Sequence, residues 1–312
     1  MNAPVNINAE LAFRASVVGA SEVAALFDAS PWLTRFELWH RKNGTIATPE
    51  FDAIDDNGVP ENERIYWGVR LEPAIIEAAK ERYGYRDRDQ AERLTNGKGL
   101  GGHPDRRVIC PERGPGVLEV KMVDWIERKK WGDEPPVHYL LQSQTYQGLD
   151  GVSWGDVIVL VGGNALERFQ YDFRPKLYAE IEARVEAFWQ SVREGKPPKA
   201  DYARDLRTIA ELRADPNDTV IDLRRDNRMP ELLSEYLEAK EAERVAGCRV
   251  DAAKAEILEK LSKSTEALVE GFSCRAPVVA GKPDQIITAD MVGQKIKGRS
   301  SHRRFYIKER TE

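Results

Sequence analysis

Glu119 and Lys121 stand two residues apart in the segment GVLEVKMV, residues 116–123. Its valines and leucine favour a β-strand. On a strand, residues at that spacing point to the same face. An arbitrary Glu-x-Lys in a strand is most simply a salt bridge on a wet face. The approach from upstream changes that reading. GLGGHPD, residues 99–105, brings Asp105 in behind three glycines and a proline, which let the backbone turn. A hairpin joining the two segments would set Asp105 beside Glu119. Two carboxylates with a lysine nearby suit metal-assisted hydrolysis. Carboxylate oxygens are preferred by Mg²⁺. A bound metal lowers the pKa of its water, and a lysine beside that water can help generate or hold hydroxide.

The elements that must position these residues are legible in the hydrophobic pattern. Residues 19–29, GASEVAALFDA, have helical apolar spacing with Ser21 as the expected N-cap. A second helix is expected over 36–44, stopped by Gly44. A long helix is expected from about Ile65 to Tyr83, with Trp67, Leu71, Ile75, Ile76 and Ala79 on one apolar face, ending at Gly84. Strand character follows at 99–110, 116–123, 154–163 and 168–173. A helix over 135–151 separates the later strands, and another covers 175–194. Helices followed by a mixed sheet with helices packed on it imply an α/β or α+β domain. KPPKADYARD, residues 196–205, marks a boundary, giving domains 1–205 and 206–312. The extension is mainly helical, with a long helix at about 230–262. The basic segment KIKGRSSHRRFYIKER, residues 295–310, carries Phe305 and Tyr306. It reads equally as a nucleic-acid contact or a charge-protected strand edge.

With 312 residues, 41% hydrophobic and 32% charged, the chain is a folded, polar and soluble protein. No apolar run approaches the ~20 residues of a transmembrane helix. The N-terminal residues lack a signal-peptide pattern. The net charge of −5 gives no global sign of nucleic-acid binding, but a metal-dependent nuclease needs an acidic site and only a local basic track. The three cysteines are scattered and offer neither a disulfide framework nor paired metal-ligand spacing, which fits a reducing cytoplasm. The four histidines are too dispersed for zinc. His103 neighbours the acidic segment and is a candidate phosphate contact. His40, His138 and His302 read as helix-surface or strand-edge residues. Trp32, Trp39, Trp67 and Trp189 read as core anchors. Trp125 and Trp131, in a polar loop after the charged strand, are candidates for stacking on unpaired bases.

Glu72 within WGVRLEPAIIEAA has the ordinary reading of a solvated helix residue. Gln142 and Gln144 in HYLLQSQTYQG are either satisfied core amides or polar groups reaching a site. Ser21 at a helix start, with Arg14 upstream, would make an anion site.

In order along the chain, GASEVAALFDASPWLTRFELWHRKNG, WGVRLEPA, HPD, LEVKMV and YLLQSQTYQG resemble the YqaJ-type viral recombinases. These are relatives of lambda exonuclease in the PD-(D/E)XK nuclease superfamily. The resemblance covers about residues 12 to 200. It implies a restriction-endonuclease-like core, a mixed central sheet flanked by helices. It also implies roles. Asp105 would bridge metal ions. Glu119 and the Val120 carbonyl would ligate them, Glu72 would support one, and Lys121 would position or activate water. Gln142, rather than Gln144, would be the site glutamine. Arg14 and Ser21 would hold a DNA 5′-phosphate. Two departures are visible. Arg106 and Arg107 stand where many relatives have a glycine after the aspartate, either as phosphate contacts or in salt bridges. GVRLEP replaces the usual GNxLEP.

The activity so implied is a Mg²⁺-dependent 5′-to-3′ exonuclease on linear double-stranded DNA, with two ions and with Mn²⁺ able to substitute. It would leave 3′ overhangs for a single-strand annealing protein in phage-type recombination, in the cytoplasm of a bacterial host. A homo-oligomer, by resemblance a ring of three, and no membrane association are expected. The alternatives are an endonuclease of the same superfamily, or a DNA-binding or docking protein with a vestigial nuclease core.

Overall fold

The structure is a computed structural model that describes residues 7–48, 60, 62–89, 93–215, 219–270 and 272–278. The basic segment 295–310, including His302, lies outside the described residues. The chain divides into two units, Met1–Arg213 and Ala214–Glu312. The division falls after Arg213 rather than after 205. The buried Asp205 carboxylate accepts the Thr34 hydroxyl at 2.5 Å, and Thr208 is buried as well. These contacts hold the segment after 205 in the first unit.

The first unit begins with α1 (Ile7–Ser16), β1 (Val18–Gly19), α2 (Val23–Leu26), α3 (Arg35–Lys42) and α4 (Glu63–Tyr83). The expected helix over 19–29 is short, because Gly19 is taken into β1. The strands and helices that follow are β2 (Arg86–Asp87), β3 (Leu94–Thr95), β4 (Leu100–Gly102), β5 (Arg106–Cys110), β6 (Gly114–Val123), α5 (Trp125–Lys129) and α6 (Val137–Asp150). β7 (Trp154–Val161), β8 (Ala165–Asp172), α7 (Pro175–Arg193) and α8 (Leu206–Leu212) complete it. A small sheet has the order β1-β4-β3. The main sheet has the order β2-β5-β6-β7-β8. In the main sheet β5 and β6 are antiparallel, β6 and β7 parallel, and β7 and β8 antiparallel. The parallel pair requires a crossover, and α6 lies within it.

Alternation along β6 assigns its residues to two layers. Leu118 and Val120 pack with Ile75, Ile76 and Ala79 of α4 and with Trp154 and Ile158. Each such fully buried aliphatic side chain contributes about 1.5–3 kcal/mol. On the other face Val117 packs with Tyr146 of α6. Val157 and Val159, register partners of Glu119 and Lys121, pack with Tyr139 and Leu140 of α6. The α6–α7 side continues into a cluster of α2, α3, α6 and α7 residues, including Leu26, Leu38, Leu141 and Ile181. Under α4, Asp156 is fully buried and takes both guanidinium nitrogens of Arg113, at 2.9 and 2.5 Å.

α4 is bounded as its sequence dictates. Asn62 caps it by accepting the Ile65 N–H at 3.2 Å, and Gly84 at φ +72° ends it. Trp39 is buried, but Trp32 and Trp67 are 72% and 48% exposed and are not core anchors. His40 is buried beside Phe36 and Trp39 rather than on the helix surface.

In the second unit α9 (Met229–Leu261) precedes an antiparallel hairpin of β9 (Glu266–Val269) and β10 (Phe272–Arg275).

Candidate active site

β5 and β6 form the hairpin that the sequence calls for, with Arg106 opposite Leu118. Asp105 lies just before β5, and its Oδ2 accepts the Val120 N–H at 2.6 Å. Glu119 is 2% exposed, and its Oε1 is engaged by the Lys121 ammonium. Lys121 also stands over the Tyr139 ring, 5.5 Å from its centroid. The two charges share the face of β6 that looks toward α6. Glu72 comes from α4, near enough that its charge interacts with those of Asp105, Lys121 and Arg106.

The electrostatics are those of a desolvated acidic cluster. Burial, reinforced by the charge of Asp105, pushes Glu119 up to about 8 and Glu72 up to about 7. Lys121 opposes both shifts. Asp105 is also raised by burial, against the pull of Lys121 and the Val120 N–H. For Lys121, burial favours the neutral amine, but Glu119 and Asp105 outweigh it and keep it an ammonium.

Among the described residues no three His, Cys, Asp or Glu side chains close on one point as a finished metal cage. Glu119 is turned to Lys121 and Asp105 to the Val120 amide. The donor set nevertheless suits a hard cation. Glu119 Oε2 is buried without a hydrogen-bond partner. Three carboxylates held above their usual range are repelled by burial and by one another, and a divalent cation relieves both penalties.

Gln142 and Gln144 have different surroundings. Gln144 is fully buried; its amide donates to the Asp172 carbonyl at 2.9 Å and accepts the Arg174 N–H at 2.6 Å. It pins the β8–α7 connection. Gln142 is hydrogen-bonded to Tyr146, whose hydroxyl lies within the field of Glu119 and Asp105 and is also bonded to the His103 backbone. Tyr139 and Tyr146 escaped the sequence reading. The signal was present: Tyr139, Gln142 and Tyr146 recur at three and four along α6, one helix face.

His103 is half-buried, its ring edge-on to Phe13 at 5.6 Å. Arg106 donates to Asp87 at 2.8 Å, and Arg107 pairs with Asp150 at 2.6 Å, so both take the salt-bridge alternative. Trp125 is 47% exposed and opens α5 rather than lying in a loop. Trp131 is not available for stacking on bases. It is 9% exposed and packs against Tyr139 and Phe169.

Ser21 is not the cap of α2. The N-cap position falls to Glu22, and no side chain caps that helix. Instead the Glu22 carboxylate folds back onto the Gly19 N–H at 2.8 Å and pairs with Lys42 at 2.7 Å. Ser21 and Arg14 are both exposed and lie on either side of β1. With four residues, α2 adds no helix-end site.

The family model described as the YqaJ-like viral recombinase domain matches residues 11–151. No curated protein matches the chain. Among solved structures, the chain is similar to an alkaline exonuclease (LHK-Exo) from Laribacter hongkongensis. The identity is 21% and the TM-score 0.47, over 60% of this chain and 93% of that one. The same enzyme in complex with dAMP gives 22% and 0.45, over 59% and 91%. A phage-related exonuclease from Haemophilus somnus 129PT gives 15% and 0.40, over 57% and 94%. No helix among the described residues is long and apolar enough to cross a membrane. The matched segment runs from within α1 to the end of α6 and contains the Asp105–Glu119–Lys121 hairpin, Glu72 and Gln142, so over residues 11–151 this chain is similar to the YqaJ-like viral recombinase domain.

Proposed function

We propose that this chain is a Mg²⁺-dependent deoxyribonuclease that shortens linear duplex DNA from its 5′ ends and leaves 3′ single-stranded overhangs. The observation that carries the reading is the buried carboxylate pair of the β5–β6 hairpin, with Lys121 on it and Glu72 in reach. The family description, a viral recombinase, fits a product that a single-strand annealing protein would take up in a bacterial cytoplasm.

Glu72, Asp105, Glu119 and the Val120 carbonyl would hold Mg²⁺, as two ions, with Mn²⁺ as a substitute of similar hardness. Bound there, the metal supplies Lewis acidity at phosphoryl oxygens and a more acidic water. The residues of the chain supply the rest. Val120 N–H fixes one Asp105 oxygen and so orients the carboxylate. Lys121, kept as an ammonium, serves as a donor to the attacking oxygen and to the phosphate rather than as a base. Gln142 and Tyr146 hold the opposite wall. Arg14 and Ser21 are the proposed contacts of the 5′-phosphate, as exposed side chains without a helix end behind them. Trp125 is the proposed stacking surface.

The test uses linear duplex DNA labelled separately at each end, with closed circular DNA as control, in Mg²⁺ and in EDTA. Mg²⁺-dependent loss from the 5′ end with the circle intact is expected. Cutting of the circle would replace this reading with an endonuclease. DNA bound but undigested would replace it with a vestigial core.

A further inference from the structure

α9 runs for 33 residues, about 50 Å, and its side chains face solvent almost throughout. A free helix of this kind is marginal in water, and Gly247 weakens it further. Leu233, Leu237, Val245 and Leu258 lie elsewhere on the helix, but one set of its apolar residues forms a continuous stripe. From Met229 the spacing alternates strictly between three and four, the pattern of a coiled-coil seam. Tyr236, Val250 and Ile257 fill one seam position. Ala239, Ala246 and Ala253 fill the other, below Leu232. Glu243 is the charged exception within this run. Leu232, Val250 and Ile257 are 44%, 52% and 46% exposed.

The flank of the seam says what kind of partner fits. Every seventh residue beside it reads Arg228, Glu235, Ala242, Arg249, Glu256. Reversed, the same series has the opposite sign at each charged place and alanine at the centre. A second copy running antiparallel therefore sets Arg228 against Glu256 of the partner subunit, and Glu235 against Arg249 of the partner subunit. In a parallel pair Arg249 would face Lys254 of the partner subunit, a like charge. The antiparallel register also sets large residues against small ones: Tyr236 meets the partner's Ala246 and Met229 the partner's Ala253. Glu243 then falls near the two-fold axis beside its own counter-ion, Lys240, at 2.6 Å. A paired charge in the seam fixes register at some cost in stability.

We infer that α9 is a self-association helix that pairs antiparallel with α9 of a second copy of this chain, centred near Ala242. The inference is independent of the nuclease reading.

The test is sedimentation of the full chain without DNA, beside Val250→Asp. A charge placed in the seam is expected to weaken association by at least about tenfold, and to lower the helix content of α9 with it, while the first unit stays intact. Cross-linking fixes the direction. With Cys248 and Cys274 changed to serine, Ala242→Cys should be joined across the pair by a short bis-maleimide, and Ala253→Cys should not. A protein that stays monomeric at tens of micromolar would overturn the inference. So would an oligomer indifferent to Val250→Asp, or cross-linking at Ala253→Cys in place of Ala242→Cys.

Discussion

Asp105 and Val120 are joined across the β5–β6 hairpin, the carboxylate Oδ2 accepting the backbone N–H at 2.6 Å. This bond ties the residue before one strand to the centre of the other. It places Asp105 next to Glu119 and leaves its second oxygen for another partner. Asp105→Asn keeps an oxygen for the Val120 N–H and is expected to fold with little loss of stability. Asp105→Ala leaves that amide without its acceptor, at a cost of about 1–3 kcal/mol. Thermal melts of the two variants measure the difference.

Lys121 offsets the charge of Glu119 and, in the proposed mechanism, would supply a donor to the reacting phosphate. Lys121→Met is expected to cut turnover by about 10²–10³-fold, in the range of losing one fixed electrostatic donor. It should also raise Glu119 further above its ordinary range. Turnover on labelled duplex, with circular dichroism as a control for folding, checks this.

The two glutamines of α6 should separate by phenotype. Gln144→Leu strands the Arg174 N–H and loses the bond to the Asp172 carbonyl. It is expected to destabilise the protein by about 1–3 kcal/mol per stranded group. Gln142→Leu disturbs only the Tyr146 side of the site and should lower activity more than stability. Paired melts and rates on the same preparations distinguish them. Two similar stability losses would contradict the division of roles.

Gly116 lies under the Trp154 ring, where an added Cβ would come within 2.2 Å of ring atoms. Gly116→Ala must displace a fully buried tryptophan and is expected to cost about 1–3 kcal/mol or more. Gly247→Ala, in open space on α9, should be neutral or stabilising. Urea unfolding of both variants tests the contrast.

His138 supplies a pH dependence with a definite sign. Burial, aided by Lys121, lowers it from 6.5 to about 4, and its Nε2 is buried without a partner. Between those values the unfolded chain binds a proton that the folded chain refuses. The contribution is therefore fully present above about pH 6.5 and is lost as the pH falls toward 4. His138→Phe should flatten that limb of a melting-temperature profile. An unchanged profile would contradict it.

The hairpin, the long helices and the order of the strands were legible because each rests on local periodicity and on a glycine or proline stop. Gly84 ends α4 with the positive φ expected of a stop glycine, and of Gly148 and Gly151, either of which the sequence allowed as the end of α6, Gly151 takes that conformation. The Ser21 cap was not legible, because pairing of β1 with β4 decides where α2 begins. Trp131 failed for a similar reason. A tryptophan in a polar stretch looks exposed until α6 and β8 are seen to cover it. Trp32 failed in the opposite sense. The divergent roles of Gln142 and Gln144 depend on which side of α6 meets the β8–α7 connection, a tertiary fact.

The most direct test of the central claim is the Mg²⁺-dependent digestion of 5′-phosphorylated linear duplex by Asp105→Asn and by the parent chain. The variant keeps the hydrogen-bonding shape but loses the charge. The account predicts that the parent digests and the folded variant does not, by at least about three orders of magnitude. Full Mg²⁺-dependent activity in the variant would contradict it.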